Sequence, residues 1–295
     1  MPNVLITGSS RGIGYATALA FARAGYQVAA TMRDPARAPE LARAAAAEKL
    51  PIRVSAMDVD DDASVSGGVA RIVGEIGPID VLVNNAGIER NGSVEELPLA
   101  EFKAVMETNY FGAVRCIQAV LPAMRERRSG CIINVSSVAG RIAIAPLGSY
   151  SASKFALEAI SEALAQEVKR FGICVAIVEP GIIDTAMAHE IATPPPPALY
   201  PNQRRNAALF AAVLTQPVPP SIVAEKIVEI AGGDSTQLRH PVGPDAAPFL
   251  GWRNAMTDEQ WVDYGSLDDG AWYERIRNDF GIDLRETAAP GGDGG

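Results

Sequence analysis

Tyr150 and Lys154 are the residues of this sequence best suited to proton transfer, because they stand four positions apart in a helix-like segment. On a helix, that spacing places both side chains on one face, about a turn apart. An ammonium close to a phenol favours the phenolate and lowers a pKa that is ordinarily about 10. The pair therefore predicts a general acid and base, although the same spacing is common in helix-surface pairs.

A glycine-rich segment joins an apolar run to a helix-like stretch: Thr7-Gly8-Ser9-Ser10-Arg11-Gly12-Ile13-Gly14. A strand, a glycine turn and a helix N-terminus in this order let backbone N–H groups and the helix dipole meet a pyrophosphate. Side chains at Gly8, Gly12 or Gly14 would block that approach or the packing of the helix against the strand. The segment predicts a dinucleotide site, with an ordinary tight turn as the alternative.

The next strand-like segment bears on which nicotinamide cofactor is used, and it reads Ala29-Ala30-Thr31-Met32-Arg33-Asp34. Thr31 stands where an NAD enzyme is expected to place a carboxylate for the ribose 2′-hydroxyl. Arg33 and Arg11 can instead pair with a 2′-phosphate through charge-assisted hydrogen bonds. The sequence favours NADP(H), and Asp34 leaves NAD(H) open because, turned inward, it could hold a 2′-hydroxyl.

The elements that must position these residues alternate between short apolar runs and longer helix-like stretches, which is typical of βαβ units. The predicted strands are residues 4–7, 27–32, 52–57, 79–83, 131–135 and 174–178, with a further short strand around 237–242. Their apolar residues are continuous rather than alternating, which indicates helices on both faces. We predict an α/β, doubly wound Rossmann fold: a three-layer α/β/α sandwich with a central parallel sheet of about seven strands.

Beyond this core the chain becomes irregular. We predict one domain over residues 1–250, with a lid insertion at about 182–219, followed by a C-terminal extension over 251–295. A proline run at 194–197 predicts a stiff loop, with a polyproline ligand for a partner as the alternative. The extension holds all three tryptophans, Trp252, Trp261 and Trp272, and its last ten or so residues are expected to be disordered.

Composition and charge argue against several functional classes. A net charge of −9 does not supply the clustered basic surface that nucleic acids require. No stretch approaches the roughly 18 apolar residues of a membrane span, and no basic, apolar leader opens the sequence, so we expect a cytoplasmic protein without a membrane partner. The three cysteines form no CxxC pair and the two histidines lack ligand-spaced partners, so we expect buried thiols and no metal.

Taken together, the motifs resemble those of a classical short-chain dehydrogenase/reductase. Five patterns occur in that family's order: Thr7-Gly-x-x-x-Gly12-Ile13-Gly14, Asp58-Val59, Asn84-Asn85-Ala86-Gly87, Tyr150-Ser-Ala-Ser-Lys154 and Pro180-Gly181. Ser137 and Asn109 are single-residue matches between them. The resemblance covers residues 4–243, and the stretches 30–34 and 239–246 are similar to the branch that holds 17β-hydroxysteroid and retinol dehydrogenases.

The resemblance implies four catalytic residues and an NADP(H)-dependent reaction that interconverts a carbonyl and an alcohol by hydride transfer. Tyr150 would exchange a proton with the reacting oxygen, and Lys154 would also bind the nicotinamide ribose. Ser137, which follows a predicted strand, would hold that oxygen beside Tyr150. Asn109 would anchor a water of the proton relay.

Further cofactor contacts follow from the same resemblance. The residues implied at the adenine and along the crevice are Asp58, Val59, Asn85, Ala86 and Gly87. The residues implied at the nicotinamide are Pro180, Gly181, Ile182, Ile183 and Thr185. Asp184 is expected only to cap the helix that follows it.

The implied partner is a hydrophobic ketone or aldehyde, because the segments 138–147 and 182–217 that would cover it are largely apolar. Glu89, Arg90 and Asn91 border the same crevice and could meet a polar substituent. The family mostly forms homodimers or homotetramers through two long helices, here 98–127 and 150–170. The alternatives are a non-catalytic NADP(H)-binding sensor or regulatory protein on this fold, and a related enzyme of dehalogenation or epimerisation.

Overall fold

A parallel β-sheet lies at the centre of the computed structural model, which describes residues 1–193, 195–196, 198–233 and 237–284. Within those residues the strands are β1 Asn3–Ile6, β2 Gln27–Met32, β3 Ile52–Ala56, β4 Val81–Asn84, β5 Gly130–Val135, β6 Ile173–Pro180 and β7 Arg239–Val242. They lie in the order β3-β2-β1-β4-β5-β6-β7, and each neighbouring pair is parallel. The chain changes direction across the sheet between β1 and β4, so a crevice is expected at their carboxyl ends.

Helices cover both faces of this sheet. They are α1 Gly12–Arg23, α2 Glu40–Glu48, α3 Asp62–Ile76, α4 Leu99–Met106, α5 Gly112–Arg127, α6 Gly148–Val168, α7 Ala186–Ala192, α8 Asn202–Val213, α9 Ser221–Gly232, α10 Ala246–Asn254, α11 Asp258–Ser266 and α12 Asp269–Phe280. Val4 and Ile6 of β1 pack with α1, α2 and α9, whereas Leu5 packs with α3, α5 and α6. Because successive strand residues face opposite layers, a continuous apolar run is buried on both sides. The predicted doubly wound, three-layer fold is confirmed.

The helix predicted over residues 98–127 is interrupted. A π-helical turn at Glu107–Phe111 separates α4 from α5, and Asn109 lies within it. A π turn inserts an extra residue into a helix, and such turns are frequent at functional sites. Here it allows the Asn109 side chain to bond Ile88, which lies in the loop that follows β4.

The tryptophan-bearing segment folds as α10, α11 and α12, which pack with α8 around a small apolar centre of Tyr264, Ile276 and Leu284. The predicted division between residues 250 and 251 lies inside α10. Pro194 and Pro197 of the proline run, and the last ten residues, lie outside the described part of the chain.

Two further observations concern the classes that the composition argued against. Among the residues described, no helix combines the length and the apolar character needed to cross a bilayer. The described residues also contain no group of three or more His, Cys, Asp or Glu side chains able to hold a metal ion. Cys131 and Cys174, distant in sequence, pair in register on β5 and β6, and both are free thiols.

Candidate active site

A cavity of about 880 Å³ opens at the carboxyl ends of the strands. The glycine-rich loop, the ends of β2 and β4, and the loops after β5 and β6 line one part of it. Helices α7, α8, α10, α11 and α12 line the remainder. Its size is typical of a small-molecule or cofactor pocket, and it lies at the sheet edge where the candidate residues were expected.

The glycine-rich loop passes so close to the end of β4 that side chains do not fit. Gly8 has φ +68°, and a Cβ placed there would lie 2.7 Å from the Cα of Ala86. A Cβ at Gly14 would overlap the carbonyl oxygen of Gly8 and the side-chain amide of Asn85. The loop therefore presents bare backbone to the cavity in front of the N-terminus of α1, which suits an incoming phosphate.

Hydrogen bonds tie this loop to the end of β4. The Thr7 hydroxyl accepts from the backbone N–H groups of Asn85 and Ala86, each at 3.0 Å. The Asn85 amide donates back to the carbonyl oxygens of Thr7 at 2.9 Å and Gly8 at 3.0 Å. Asn85, Ala86 and Gly87 line the cavity, so the segment expected to border a cofactor also fixes the shape of the loop.

The structure at the end of β2 differs from the expectation that Thr31 faces the cofactor site. Thr31, expected at the carboxylate position of NAD enzymes, is fully buried, and its hydroxyl donates to the carbonyl oxygen of Ile6 at 3.1 Å. Met32 and Arg33 line the cavity instead. Asp34 points away from it, because its carboxylate accepts the N–H of Ala36 at 3.0 Å and caps a short 3₁₀ turn.

Two carboxylates follow β3 at the cavity wall. Asp58 and Val59 line the cavity as expected, and the Asp58 carboxylate accepts the backbone N–H of Asp60 at 3.1 Å. Asp60 lines it as well, and burial raises the pKa of its carboxyl group, which accepts a hydrogen bond from Thr108 at 3.0 Å. The sequence analysis did not single out Asp60, because its signal, a second acid directly after Asp58-Val59, is also typical of a helix start.

Tyr150, Lys154 and Ser137 meet at the cavity wall. The Lys154 ammonium lies 5.6 Å from the centre of the Tyr150 ring and donates to the carbonyl oxygen of Val135 at 2.8 Å. The Ser137 hydroxyl accepts the backbone N–H of Ala139 at 3.1 Å, and it lies near enough to Tyr150 to favour the ionised form of the phenol. The loop after β5 and the first turns of α6 thus bring together three groups that are separated in the sequence.

Asn109 bonds the backbone and side-chain groups next to Tyr150 without reaching the cavity itself. Its amide donates to the carbonyl oxygen of Ile88 and to the Ser153 hydroxyl, each at 2.9 Å, and accepts the Ile88 N–H at 2.8 Å. Ser153 in turn donates to the backbone carbonyl of Tyr150 at 2.7 Å. The side chain is buried and does not line the cavity, so it joins the β4 loop to α6 beside Tyr150.

Burial is the largest influence on the pKa values of Tyr150 and Lys154. It raises the pKa of Tyr150 to about 12, opposed by the hydrogen bond from Ser137 and reinforced by the charge of Glu89. It lowers the pKa of Lys154 to about 8, opposed by the Glu158 carboxylate. Desolvation is therefore the largest influence on the buried phenol, and the expected lowering of its pKa by the ammonium stays a prediction. Burial also raises the pKa of Glu89 to about 7.

A buried acidic cluster stands beside Lys154. Glu158, one helical turn after Lys154, accepts from Arg239 at 2.9 Å. Glu179, at the end of β6, accepts from Arg141 at 3.3 Å. Their sequence signals were an acid four residues after Lys154 and an acid before Pro180-Gly181, and neither was singled out because acids are usually solvated. Of the two, Glu158 is the carboxylate whose charge favours the Lys154 ammonium.

The loop after β6 closes the site. Pro180, Gly181, Ile182, Ile183 and Thr185 all line the cavity. The helix cap expected of Asp184 belongs to Thr185, whose hydroxyl accepts the N–H of Ala188 at 3.3 Å. The Asp184 carboxylate instead bonds the ring of His189 at 2.7 Å.

Residues 2–195 match the family model for short chain dehydrogenase. The chain belongs to the short-chain dehydrogenase family. Retinol dehydrogenase 8 from Bos taurus is 37% identical over 262 residues, which cover 84% of this chain and 83% of that protein. A short-chain dehydrogenase from Streptomyces avermitilis matches with a TM-score of 0.76 at 33% identity, over 92% of this chain and 98% of that one.

A variant of actinorhodin polyketide ketoreductase solved with NADPH matches with a TM-score of 0.75 at 29% identity, over 83% of this chain and 97% of that one. The resemblance to retinol dehydrogenases and the assignment as an oxidoreductase enzyme are confirmed. Members of this family use a nicotinamide dinucleotide, NAD(H) or NADP(H).

We predict that Gly14→Ala weakens dinucleotide binding and destabilises the protein by about 1–3 kcal/mol, because the new methyl group overlaps the Gly8 carbonyl. The measurements are thermal unfolding and a fluorescence titration with NADPH. Gly74→Ala in α3 is the control, since no atom lies within 4 Å of its Cβ position, and it should stabilise the chain slightly. Equal unfolding temperatures and affinities for the two variants would contradict the close approach of the loop.

We also predict that Glu158→Gln lowers the pKa of Lys154 below about 8, because it removes the carboxylate that favours the ammonium. Nitrogen-detected NMR of the Lys154 side chain across a pH titration measures this value. Glu162→Gln is the matched control, since Glu162 lies on the same helix and bonds the same Arg239. An unchanged Lys154 titration in Glu158→Gln would rule out this electrostatic role.

Proposed function

We propose that this enzyme reduces a hydrophobic ketone or aldehyde with NADPH, with Tyr150 as the general acid. The observation that carries the proposal is that Tyr150, Ser137 and Lys154 line the same cavity, with the Lys154 ammonium 5.6 Å from the centre of the Tyr150 ring. A sensor would need the cavity but not a phenol and a hydroxyl beside a buried ammonium on its wall. Dehalogenation and epimerisation have no comparable support in this set of groups.

The cavity fits a nicotinamide dinucleotide. A pyrophosphate would lie at the N-terminus of α1, where Gly8 and Gly12 line the cavity without side chains. The residues that would hold the cofactor are Gly8, Ser10, Arg11, Gly12, Ile13, Gly14, Arg33, Asp58, Val59, Asn85, Ala86, Gly87, Tyr150, Lys154, Pro180, Gly181, Ile183 and Thr185. All of them except Gly14 line the cavity. When bound in reduced form, the cofactor supplies a hydride for the carbonyl carbon.

Tyr150 supplies the proton in this scheme. A pKa of about 12 keeps the phenol protonated at neutral pH, so it can donate to the carbonyl oxygen as negative charge develops there. The Ser137 hydroxyl holds the same oxygen, and the Lys154 ammonium stabilises the phenolate that remains. In the reverse direction the phenolate would remove the proton from the alcohol. Asn109 acts as a positioning residue through Ile88 and Ser153.

Three features support NADP(H) over NAD(H). Arg33 lines the cavity directly after β2, and Arg11 of the glycine-rich loop lines it too, with its guanidinium 3.4 Å from the Glu190 carboxylate. Met32 stands where a carboxylate would have to reach the ribose 2′-hydroxyl, and Asp34 is engaged as a turn cap. A guanidinium pairs well with a 2′-phosphate and is not needed for a hydroxyl. The similar ketoreductase was solved with NADPH.

The remaining predictions concern the oligomeric state, the lid, the location in the cell and the direction of the reaction. Phe111 and Phe155 are 45% and 43% exposed, and they lie beside α5 and on α6, the helices predicted to form a homodimer or homotetramer. Helices α7 and α8 lie in the predicted lid at about 182–219 and contribute to the cavity wall. The cytoplasmic location stays a prediction of the sequence, and reduction is the direction that a reduced NADP pool would favour.

We expect Tyr150→Phe to lower kcat for ketone reduction by about 10²- to 10⁴-fold, because it removes the proton donor and leaves the ring in place. The assay follows NADPH consumption with a panel of apolar ketones and aldehydes. Tyr26→Phe is the control, because Tyr26 directly precedes β2 at the amino ends of the strands and does not line the cavity. Undiminished turnover by Tyr150→Phe would refute the assignment.

We expect Arg33→Ala to raise KM for NADPH by about 10- to 100-fold, because the loss of a charge-assisted phosphate contact costs about 1.5–3 kcal/mol. KM for NADH should change by less than about threefold, since a 2′-hydroxyl offers no phosphate to that guanidinium. Arg37→Ala removes an equally exposed arginine from the adjacent turn and serves as the control. A wild-type enzyme that prefers NADH would contradict the cofactor choice.

A further inference from the structure

Strands β6 and β7 leave the sheet side by side. Pro180 pairs in register with Val242, and the N–H of Gly181 donates to the Val242 carbonyl oxygen at 2.9 Å. From there one segment continues through Gly181, Ile182 and Ile183, all of which line the cavity, and the other continues into α10. Beyond Gly181 the loop after β6 has left the sheet, so its conformation depends on other contacts.

The carboxylate of Asp245, the residue before α10, supplies one such contact. Its Oδ2 accepts the backbone N–H of Ile182 at 2.7 Å. A Cβ at Gly181 would overlap this carboxylate, so the lack of a side chain there lets it reach the loop backbone. Asp245 itself does not line the cavity. The carboxylate therefore acts on the cavity through Gly181 and Ile182.

Helix capping does not account for this aspartate. A side chain at an N-cap ordinarily accepts an N–H from the first turn of its own helix. Asp268 does so before α12, where it accepts the N–H of Ala271 at 2.8 Å. Within the described chain, the Asp245 side chain makes no such bond to α10. Its bond reaches Ile182 instead, 63 positions away in the sequence.

The surroundings are unfavourable for a carboxylate. Burial raises the pKa of the Asp245 carboxyl group, opposed by the hydrogen bond from the Ile182 N–H. Its Oδ1 is buried and has no hydrogen-bond partner among the described residues. A buried acceptor without a partner is destabilising, and an apolar side chain would avoid that cost. The bond to Ile182 is thus the contribution that explains an aspartate at this position.

Asp245 also begins the helix that walls another part of the cavity. Its backbone carbonyl oxygen accepts the N–H of Phe249 at 2.9 Å, in the first turn of α10. Phe249 and Trp252 of this helix line the cavity. Asp245 therefore joins the loop after β6 to α10, and a shift of its backbone would be felt at both walls.

We propose that Asp245 is a positioning residue for hydride transfer, because its carboxylate fixes the Gly181 and Ile182 backbone that would border the nicotinamide. This assignment rests on the proposed carbonyl reduction with NADPH. Hydride transfer needs closely defined distances and angles, and a misplacement of about 1 Å can cost about 100-fold in rate. The adenosine end of the cofactor would be held elsewhere, so the contribution of Asp245 concerns the nicotinamide end.

The test compares Asp245→Ala, which removes the acceptor, with Asp245→Asn, which keeps one. Asp268→Ala is the matched control, because its carboxylate caps its own helix and does not line the cavity. Hydrogen exchange of the Ile182 amide, followed by NMR in protein without cofactor, reports the contact directly. Fluorescence titrations compare NADPH with 2′-phospho-ADP-ribose, which lacks the nicotinamide ring. Turnover is followed by NADPH consumption with apolar ketones.

In Asp245→Ala we expect at least about tenfold faster exchange of the Ile182 amide and a kcat lower by about 10- to 100-fold. Its affinity for 2′-phospho-ADP-ribose should change by less than about threefold, while its affinity for NADPH falls towards that of this fragment. Asp245→Glu keeps the charge but displaces the carboxylate by a methylene, so it should lower kcat too and gives a second measurement if the alanine variant does not fold.

Asp245→Asn should keep kcat within about threefold, because its amide oxygen can accept the Ile182 N–H while its NH₂ takes the place of the unpartnered oxygen. Asp268→Ala should unfold at a lower temperature, since it loses a helix cap, and should keep the wild-type kcat and Ile182 exchange. A structural role alone would not separate Asp245→Ala from this control in kcat.

Wild-type kcat in Asp245→Ala and Asp245→Glu, or unchanged exchange of the Ile182 amide, would overturn the proposal. An equal loss of kcat in Asp245→Asn and Asp245→Ala would overturn it as well, since the acceptor would then not matter. If the exchange and the preference for NADPH over the fragment respond while the wild type reduces no ketone or aldehyde, the loop contact stands and the proposed reduction fails. If the wild type and Asp245→Ala reduce ketones equally fast, the reduction stands and the positioning role fails.

Discussion

Burial of a phenol and an ammonium side by side at the carboxyl edge of the sheet is the constraint on which the site depends. Desolvation moves both groups towards their neutral forms, and it raises the pKa of Tyr150 to about 12 while it lowers that of Lys154 to about 8. The chain opposes this with a hydroxyl from Ser137 on one side and a carboxylate from Glu158 on the other. The result is a protonated phenol beside a cation, which is the state that the proposed carbonyl reduction requires.

The fold supplies this pair with a binding surface. Because β1 and β4 are neighbours in the sheet, the glycine-rich loop and the end of β4 meet, and Thr7 and Asn85 join them through reciprocal hydrogen bonds. The loops after β5 and β6 open onto the same edge and bring Ser137 and Thr185 to the cavity. Helices α10, α11 and α12 at the C-terminal end of the described chain line the rest of the same cavity.

Sequence reasoning succeeded where a short-range spacing fixes the geometry. The four-residue step from Tyr150 to Lys154, the glycine pattern and the apolar strand runs predicted the sheet and the meeting of the candidate residues. It failed where a side chain had a choice of neighbours. The Thr31 hydroxyl bonds the carbonyl oxygen of Ile6 in the core, and Met32 lines the cavity in its place. The role of Thr185 as a helix cap and the π-helical turn around Asn109 depend on contacts between distant segments, which no local pattern reveals.

The most direct test of this account is a pH titration of Tyr150 by carbon NMR in protein with labelled tyrosine, assigned with Tyr150→Phe. The account predicts that the Tyr150 signal keeps the shift of a neutral phenol well past the ordinary tyrosine pKa of 10.0, consistent with a value of about 12. Ionisation of Tyr150 below that ordinary value would contradict the claim that burial keeps the proton donor protonated.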